Sequence, residues 1–195
     1  MHTRTEQIPS SSSLSGHYQQ ITVIGNAHGD WQPADIGHTF IFNGTEHDAD
    51  NVINICNGPY AGSHQAFVVS NSLDDNQLVS LLTEVGEKLE GQLNCWPSSG
   101  LATILLMSLM ATQVNVQRMS LLPSLARPND MPASEHLPCM VHNWLGERRI
   151  ALGLQLTNNN IQWPELFVDD ASTLLLHDVE PVDINPFEVL LSDAV

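Results

Sequence analysis

Three clusters in this sequence combine residue types and spacings that chemistry can use. In His142-Asn143-Trp144-Leu145-Gly146-Glu147 an imidazole and a carboxyl sit five positions apart where an apolar pattern begins. Imidazole is the side chain most often used as a general base near neutral pH. At a helix start the dipole disfavours imidazolium, and a neutral ring is what a base needs. On one helix the two residues lie about 140° apart, so Glu147 would not orient His142 from there. Its expected role is capping, or contact with another segment such as Arg127 or the loop before it.

The second cluster is Pro97-Ser98-Ser99-Gly100 in front of the apolar run Leu101 to Ala111. Two hydroxyls, unpaired amides and the positive end of a helix dipole make an anion site that needs no lysine. The third is a pair of strand exits: Ile21-Thr22-Val23-Ile24 stops at Gly25-Asn26, and Val52 to Cys56 stops at Asn57-Gly58-Pro59. Glycine and asparagine there let backbone approach a ligand at the carboxyl ends of parallel strands, where open α/β sheets bind.

Charge sharpens that reading. The 195 residues carry 22 acids against six bases (Arg4, Lys88, Arg118, Arg127, Arg148 and Arg149), for a formal charge of -16. Such a surface repels nucleic acid and anionic lipid. An anionic ligand must therefore be held by amides, helix starts and histidines. The acidic surface, with Trp31 and Trp163 as exposed candidates, suits a protein partner or a homo-oligomer.

The elements that must position these residues follow from periodicity. Strands are expected at Ile21–Ile24, Thr39–Phe42, Val52–Cys56, Ala66–Val69 and Val114–Arg118. Leu78, Leu81, Leu82, Val85 and Leu89 predict an amphipathic helix behind Asp74 and Asp75. The run from Ser98 to Ala111 predicts a buried helix, too short to cross a bilayer. A helix over Val141–Leu156 would bury Val141, Leu145, Leu152 and Leu156 and point His142 off that stripe. A weaker helix is expected near Ser172–Leu176. Residues 1–17 read as a flexible arm, and 18–195 as a single α/β domain with a mostly parallel central sheet flanked by helices. No leader or membrane span is evident, and Cys56, Cys95 and Cys139 lack metal or disulfide spacing, which together point to reduced thiols in a cytoplasm. None of the three thiols has a nucleophile's setting.

Histidines and acids between His28 and Asp50 raise a metal alternative. Asn26-Ala27-His28-Gly29 is similar to the Asp-x-His-Gly start of metallophosphoesterases, but Asn stands where that motif needs a carboxylate, and no later Gly-Asn-His follows. Asp48 and Asp50 fit better as a turn before Val52.

Taken in order, the strand exits, the Trp96-Pro97-Ser98-Ser99-Gly100 turn with its apolar helix and strand, and His142 with Glu147 resemble the large, small and very small motifs of the animal-type sialyltransferases. The resemblance runs from about Ile21 to Leu154. It implies a Rossmann-like fold, a CMP-sugar donor, a glycan or small acceptor, no metal or other cofactor, and His142 as general base. By position it implies that Gly25, Asn26 and Asn57 contact the donor nucleotide and that Ser98, Ser99 and Gly100 line its pocket. Ile55 stands where that family has an arginine, and His136 is the nearest stand-in for its separate histidine motif. The expected activity is transfer of a sugar from a CMP-activated donor to an acceptor hydroxyl. A non-catalytic nucleotide- or protein-binding module and a metal-dependent phosphoesterase are the alternatives.

Overall fold

The computed structural model describes residues 18–27, 30–43, 47–58, 61–72, 75–121 and 142–167. The arm at 1–17, the Pro-rich loop expected from Pro123 to Pro138, Val141 and the helix expected near Ser172–Leu176 lie outside these. Apolar alternating runs form β1 (Tyr18–Ile24), β2 (His38–Phe42), β3 (Val52–Gly58), β4 (Ser63–Ser70) and β5 (Ala111–Gln117). A short β6 (Ile161–Gln162) and a 3-10 turn (Pro164–Phe167), neither expected, complete the described chain.

The strands make one six-stranded sheet in the order β4-β3-β2-β1-β5-β6. All neighbouring pairs are parallel except β3 with β4. The chain steps outward from β1 to β4, then returns through the helices α1 (Asp75–Leu93) and α2 (Ser99–Met110) to β5 on the other flank of β1. Strand order therefore reverses between β1 and β5, and in open α/β sheets that crevice is where ligands bind. The mostly parallel sheet with flanking helices is the Rossmann-like α/β architecture expected.

Strand alternation sends Ile21, Val23, Phe40, Ile53, Val114 and Val116 into one core with α1, α2 and α3 (Trp144–Thr157). On the opposite face Ile24, Ile41 and Val52 form a smaller cluster with Trp31 and Ala49. The helix α2 is apolar all round, and every one of its residues is buried. It leads into β5 without a loop, since its C-cap is Ala111, the first residue of that strand. This rigid joint fixes the α2 start at the carboxyl end of β5.

The third helix departs from expectation in both start and phase. Asn143 caps it, accepting from the Gly146 amide at 2.9 Å and donating to the Leu93 carbonyl at 3.1 Å, so His142 precedes the helix. The buried face carries Glu147, Arg148, Ile150, Ala151, Gly153 and Leu154. Leu145 is 44% and Leu156 64% exposed, so these two leucines face outward, while Leu152 packs partly against the core. Two charged residues set this phase because each makes buried hydrogen bonds that no leucine could replace: Glu147 to Ser98, and Arg148 to the Ser120 and Leu166 carbonyls. Trp163, expected at the surface, is 1% exposed and donates to the Met119 carbonyl at 2.6 Å.

This phase predicts unequal costs for two leucines on one helix. Leu154→Ala should lose about 2–5 kcal/mol in urea unfolding, whereas Leu156→Ala should stay within about 0.5 kcal/mol of wild type. Equal losses would contradict the orientation of α3.

Candidate functional site

The site is built at the carboxyl ends of the parallel strands. Past the last β1 residue the ladder with β5 continues, the Gly25 amide donating to the Gln117 carbonyl at 2.8 Å and the Ala27 amide to that of Arg118 at 3.2 Å. The Arg118 guanidinium reaches back to the Ala27 carbonyl through both Nε, at 2.8 Å, and Nη2. Gly25 is required here, because a Cβ would collide with the Arg118 carbonyl oxygen. Arg118 turns the chain at a φ of 56°, a left-handed conformation. Its amide is held by Glu165 at 3.0 Å.

Asparagines tie the neighbouring exits together. Asn26 Nδ2 donates to the Phe42 and Asn43 carbonyls, each at 3.2 Å. Asn43 Nδ2 donates to Asn57 Oδ1 at 2.8 Å, and the Asn57 amide donates back to Asn43 Oδ1 at 2.8 Å. Asn26 and Asn57 are thus joined through Asn43, which the sequence reading missed. A signal was present: Ile24-Gly25-Asn26, Ile41-Phe42-Asn43 and Ile55-Cys56-Asn57 repeat one pattern at three strand ends. Ile55, at the resembled family's arginine position, is fully buried.

Between these exits and the α2 start lies Met119. Its Cβ is 2.8 Å from where a Gly25 Cβ would stand, and its Cε would collide with a Cβ on Gly100. Phe42 Cε2 lies 3.8 Å from that same Gly100 position. Gly25 and Gly100 therefore both pack against Met119.

At the α2 start, Ser98 is the N-cap and its Oγ accepts from the Leu101 amide at 3.2 Å. The Ser98 amide donates to Glu147 Oε1 at 2.7 Å and its hydroxyl to Oε2 at 2.5 Å. The expected anion at this helix end is thus the protein's own carboxyl. Of the two roles expected of Glu147, this is contact with another segment; Arg127, the partner suggested for it, lies outside the described residues. The buried Ser99 hydroxyl has no hydrogen-bond partner among the described residues.

His142 stands before α3 rather than in its first turn, which removes the 140° separation expected of a shared helix. Nδ1 lies 3.1 Å from the Trp96 carbonyl and 3.8 Å from Glu147 Oε1. A carbonyl only accepts, so Nδ1 carries a proton. The ring meets Trp144 edge-on at 5.2 Å. Through Glu147 and Ser98, His142 is connected to the end of the sheet where Gly25 and Asn26 emerge.

His28, His136, Pro59 and Cys139 lie outside the described residues. His38 packs against Tyr18, and His47 against Trp31 with Nδ1 accepting from the Ala49 amide at 3.1 Å. Among the described residues no three His, Cys, Asp or Glu side chains are grouped to hold a metal ion, and no helix is long and apolar enough to cross a membrane.

The site belongs to an α/β fold with its crevice at the switch point of a Rossmann-like sheet. No protein-family model, curated protein or solved structure matches the chain.

Burial pushes Glu147 up to about 7 against the opposing pull of its Ser98 hydrogen bonds. The folded state then holds a proton that the unfolded chain releases from about pH 4.5. This contribution to stability is fully present below that pH and is lost as pH rises to about 7. Glu147→Gln should flatten that part of the curve of melting temperature against pH; an unchanged curve would refute the assignment. Gly25→Ala should cost about 1–3 kcal/mol by overpacking against backbone, and Gly100→Ala less, because the Met119 tip can rotate away. A reversed order in thermal unfolding would contradict the crevice geometry.

Proposed function

We propose that this chain is a sialyltransferase-like glycosyltransferase that moves a sugar from a CMP-activated donor to an acceptor hydroxyl. The observation that supports the reading is that Gly25 and Gly100 both approach Met119 just past the end of β5, with His142 linked to the α2 start through Glu147 and Ser98. In this reading the donor's phosphate meets the first amides of α2, and the nucleotide lies along the β1 and β3 exits. His142, with its lone pair on Nε2, removes the acceptor proton as the hydroxyl oxygen attacks the anomeric carbon. The bond from that carbon to the phosphate oxygen breaks, and CMP leaves with the electron pair. Backbone amides and the α2 dipole meet the charge that develops on the leaving phosphate.

A second reading, a sialyltransferase-like module that binds a nucleotide or protein without catalysis, is favoured by a specific pair of observations. Met119 fills the crevice between Gly25 and Gly100, and Glu147 takes up the Ser98 amide and hydroxyl. Both features close the place where a donor would sit.

Titration with CMP in the absence of divalent metal separates these readings. The enzyme should bind CMP and turn over a CMP-sugar. His142→Ala should lower turnover by about 10²–10⁴-fold with CMP affinity near normal. CMP binding without turnover selects the module, and indifference to CMP removes both nucleotide readings. Unchanged turnover in His142→Ala would take the imidazole out of the mechanism.

A further inference from the structure

The α2 start holds two kinds of polar group side by side. Ser98 is satisfied by a carboxyl inside the protein, through its amide and its hydroxyl. One residue on, Ser99 is 4% exposed and its hydroxyl has no hydrogen-bond partner among the described residues. The Ser99 and Gly100 amides are likewise without acceptors among the described residues, as the first donors of a helix are when nothing caps them. An unsatisfied buried hydroxyl is costly, and an oxyanion laid across Ser99 and Gly100, displacing the Met119 tip that lies against Gly100, would satisfy it together with both amides.

Such a ligand would sit within about one helical turn of the Glu147 carboxyl. Two negative charges at that separation in a buried setting repel strongly, and protonating one of them relieves the repulsion. We propose that Glu147 is the resident occupant of the α2 anion site, and that an oxyanion binds at Ser99 and Gly100 with uptake of a proton by Glu147. The proposal rests on the α2 start being the phosphate subsite of the reading above, and it adds how protonation regulates that subsite.

Among the described residues, His142 is the one other titratable group that faces the Glu147 carboxyl. The groups facing its carboxyl are Ser98 from the α2 cap and His142, whose Nδ1 is 3.8 Å away. Arg148, the next residue, turns its guanidinium to the Ser120 and Leu166 carbonyls instead. Among the described residues no lysine or arginine pairs with Glu147. Its carboxyl, fully buried and already raised to about 7, gives up its charge at modest cost when a second anion arrives.

Sulfate is the probe, because its charge stays constant over the range tested. Its affinity for the full chain is read from ligand-dependent melting at about pH 6 and about pH 8. Wild type should bind sulfate on the order of tenfold more tightly at the lower pH, and Glu147→Gln should bind at both pH values as tightly as wild type does at the lower. Equal wild-type affinities, or absence of sulfate binding by either protein, would overturn the proposal. So would a Glu147→Gln protein that keeps the pH dependence, since an imidazolium at His142 would then be its source. Should that variant fail to fold, calorimetry of wild type at about pH 7.5 in buffers of different ionisation enthalpy should show uptake approaching one proton per sulfate. No uptake would be decisive against it. A parallel CMP titration keeps the two ideas apart. Sulfate behaving as described while CMP is ignored removes the cytidine nucleotide and leaves the proton-coupled site. CMP binding with the same pH dependence in both proteins removes the coupling and leaves the nucleotide.

Discussion

Glu147 and Ser98 make the contact on which the arrangement of the site depends. A fully buried carboxyl must find donors or surrender its charge, and a buried helix start must find acceptors for its first amides. Each requirement meets the other here, across 49 positions of sequence. The consequences spread through the fold. The contact fixes the rotational phase of α3, turning Leu145 and Leu156 outward, and attaches that helix to the start of α2. Because α2 runs without a loop into β5, and β5 pairs with β1 from Tyr18↔Ala111 to Ile24↔Gln117, one side-chain contact locates His142 relative to the exit of the first strand.

The asparagine chain at the strand exits answers a different constraint. Parallel neighbours are usually joined by a dozen or more residues, most often through a helix. The β1–β2 and β2–β3 connections span 25–37 and 43–51, and no helix occurs among their described residues. Side chains supply the order instead: Asn51 Nδ2 donates to the Ala34 carbonyl at 2.9 Å, Thr39 Oγ1 accepts from the Ala34 amide at 2.9 Å, and Asn26, Asn43 and Asn57 bridge the opposite ends. An asparagine carries both donor and acceptor, so a row of them can satisfy main-chain groups that neither a helix nor a ladder reaches. A nucleotide bound along these exits would lie on a surface held in place before it arrives.

Strands and the central helix were legible because their signals are local. Alternation in Ile21–Ile24, Val52–Cys56 and Val114–Val116, and the uninterrupted apolar run of α2, each point to one conformation within a few residues. The phase of α3 was not legible, because its pattern offers two faces. Leu145 and Leu156 look like part of a core stripe, and only the distant Ser98, Ser120 and Leu166 partners of Glu147 and Arg148 decide against it. The burial of Trp163 and the existence of β6 depend likewise on the Met119 carbonyl and on pairing with Val114 and Asn115. For the site, residue types were readable and their company was not. Asn26 and Asn57 stood out as strand ends, but the residue that joins them, Asn43, carried only the weaker signal of a repeated Ile-x-Asn.

Electrostatics decides what such a crevice can hold. With six basic residues in the chain, any anion must be received without much help from cations. Two arginines do lie beside the loop after β5, yet each directs its guanidinium to main-chain carbonyls: Arg118 to Ala27, Arg148 to Ser120 and Leu166. Their charge therefore shapes the walls of the crevice while their donors hold its backbone together. On the proposed reading, the α2 dipole, the Ser99 hydroxyl and the amides of Ser99 and Gly100 would be left as the receiving groups. Fixed dipoles of this kind need no reorganisation when charge develops on a leaving group, whereas a mobile lysine would have to be drawn in and ordered first. On the proposed reading, a strongly acidic protein would handle a phosphate provided that Glu147, buried beside those dipoles, is able to lose its charge.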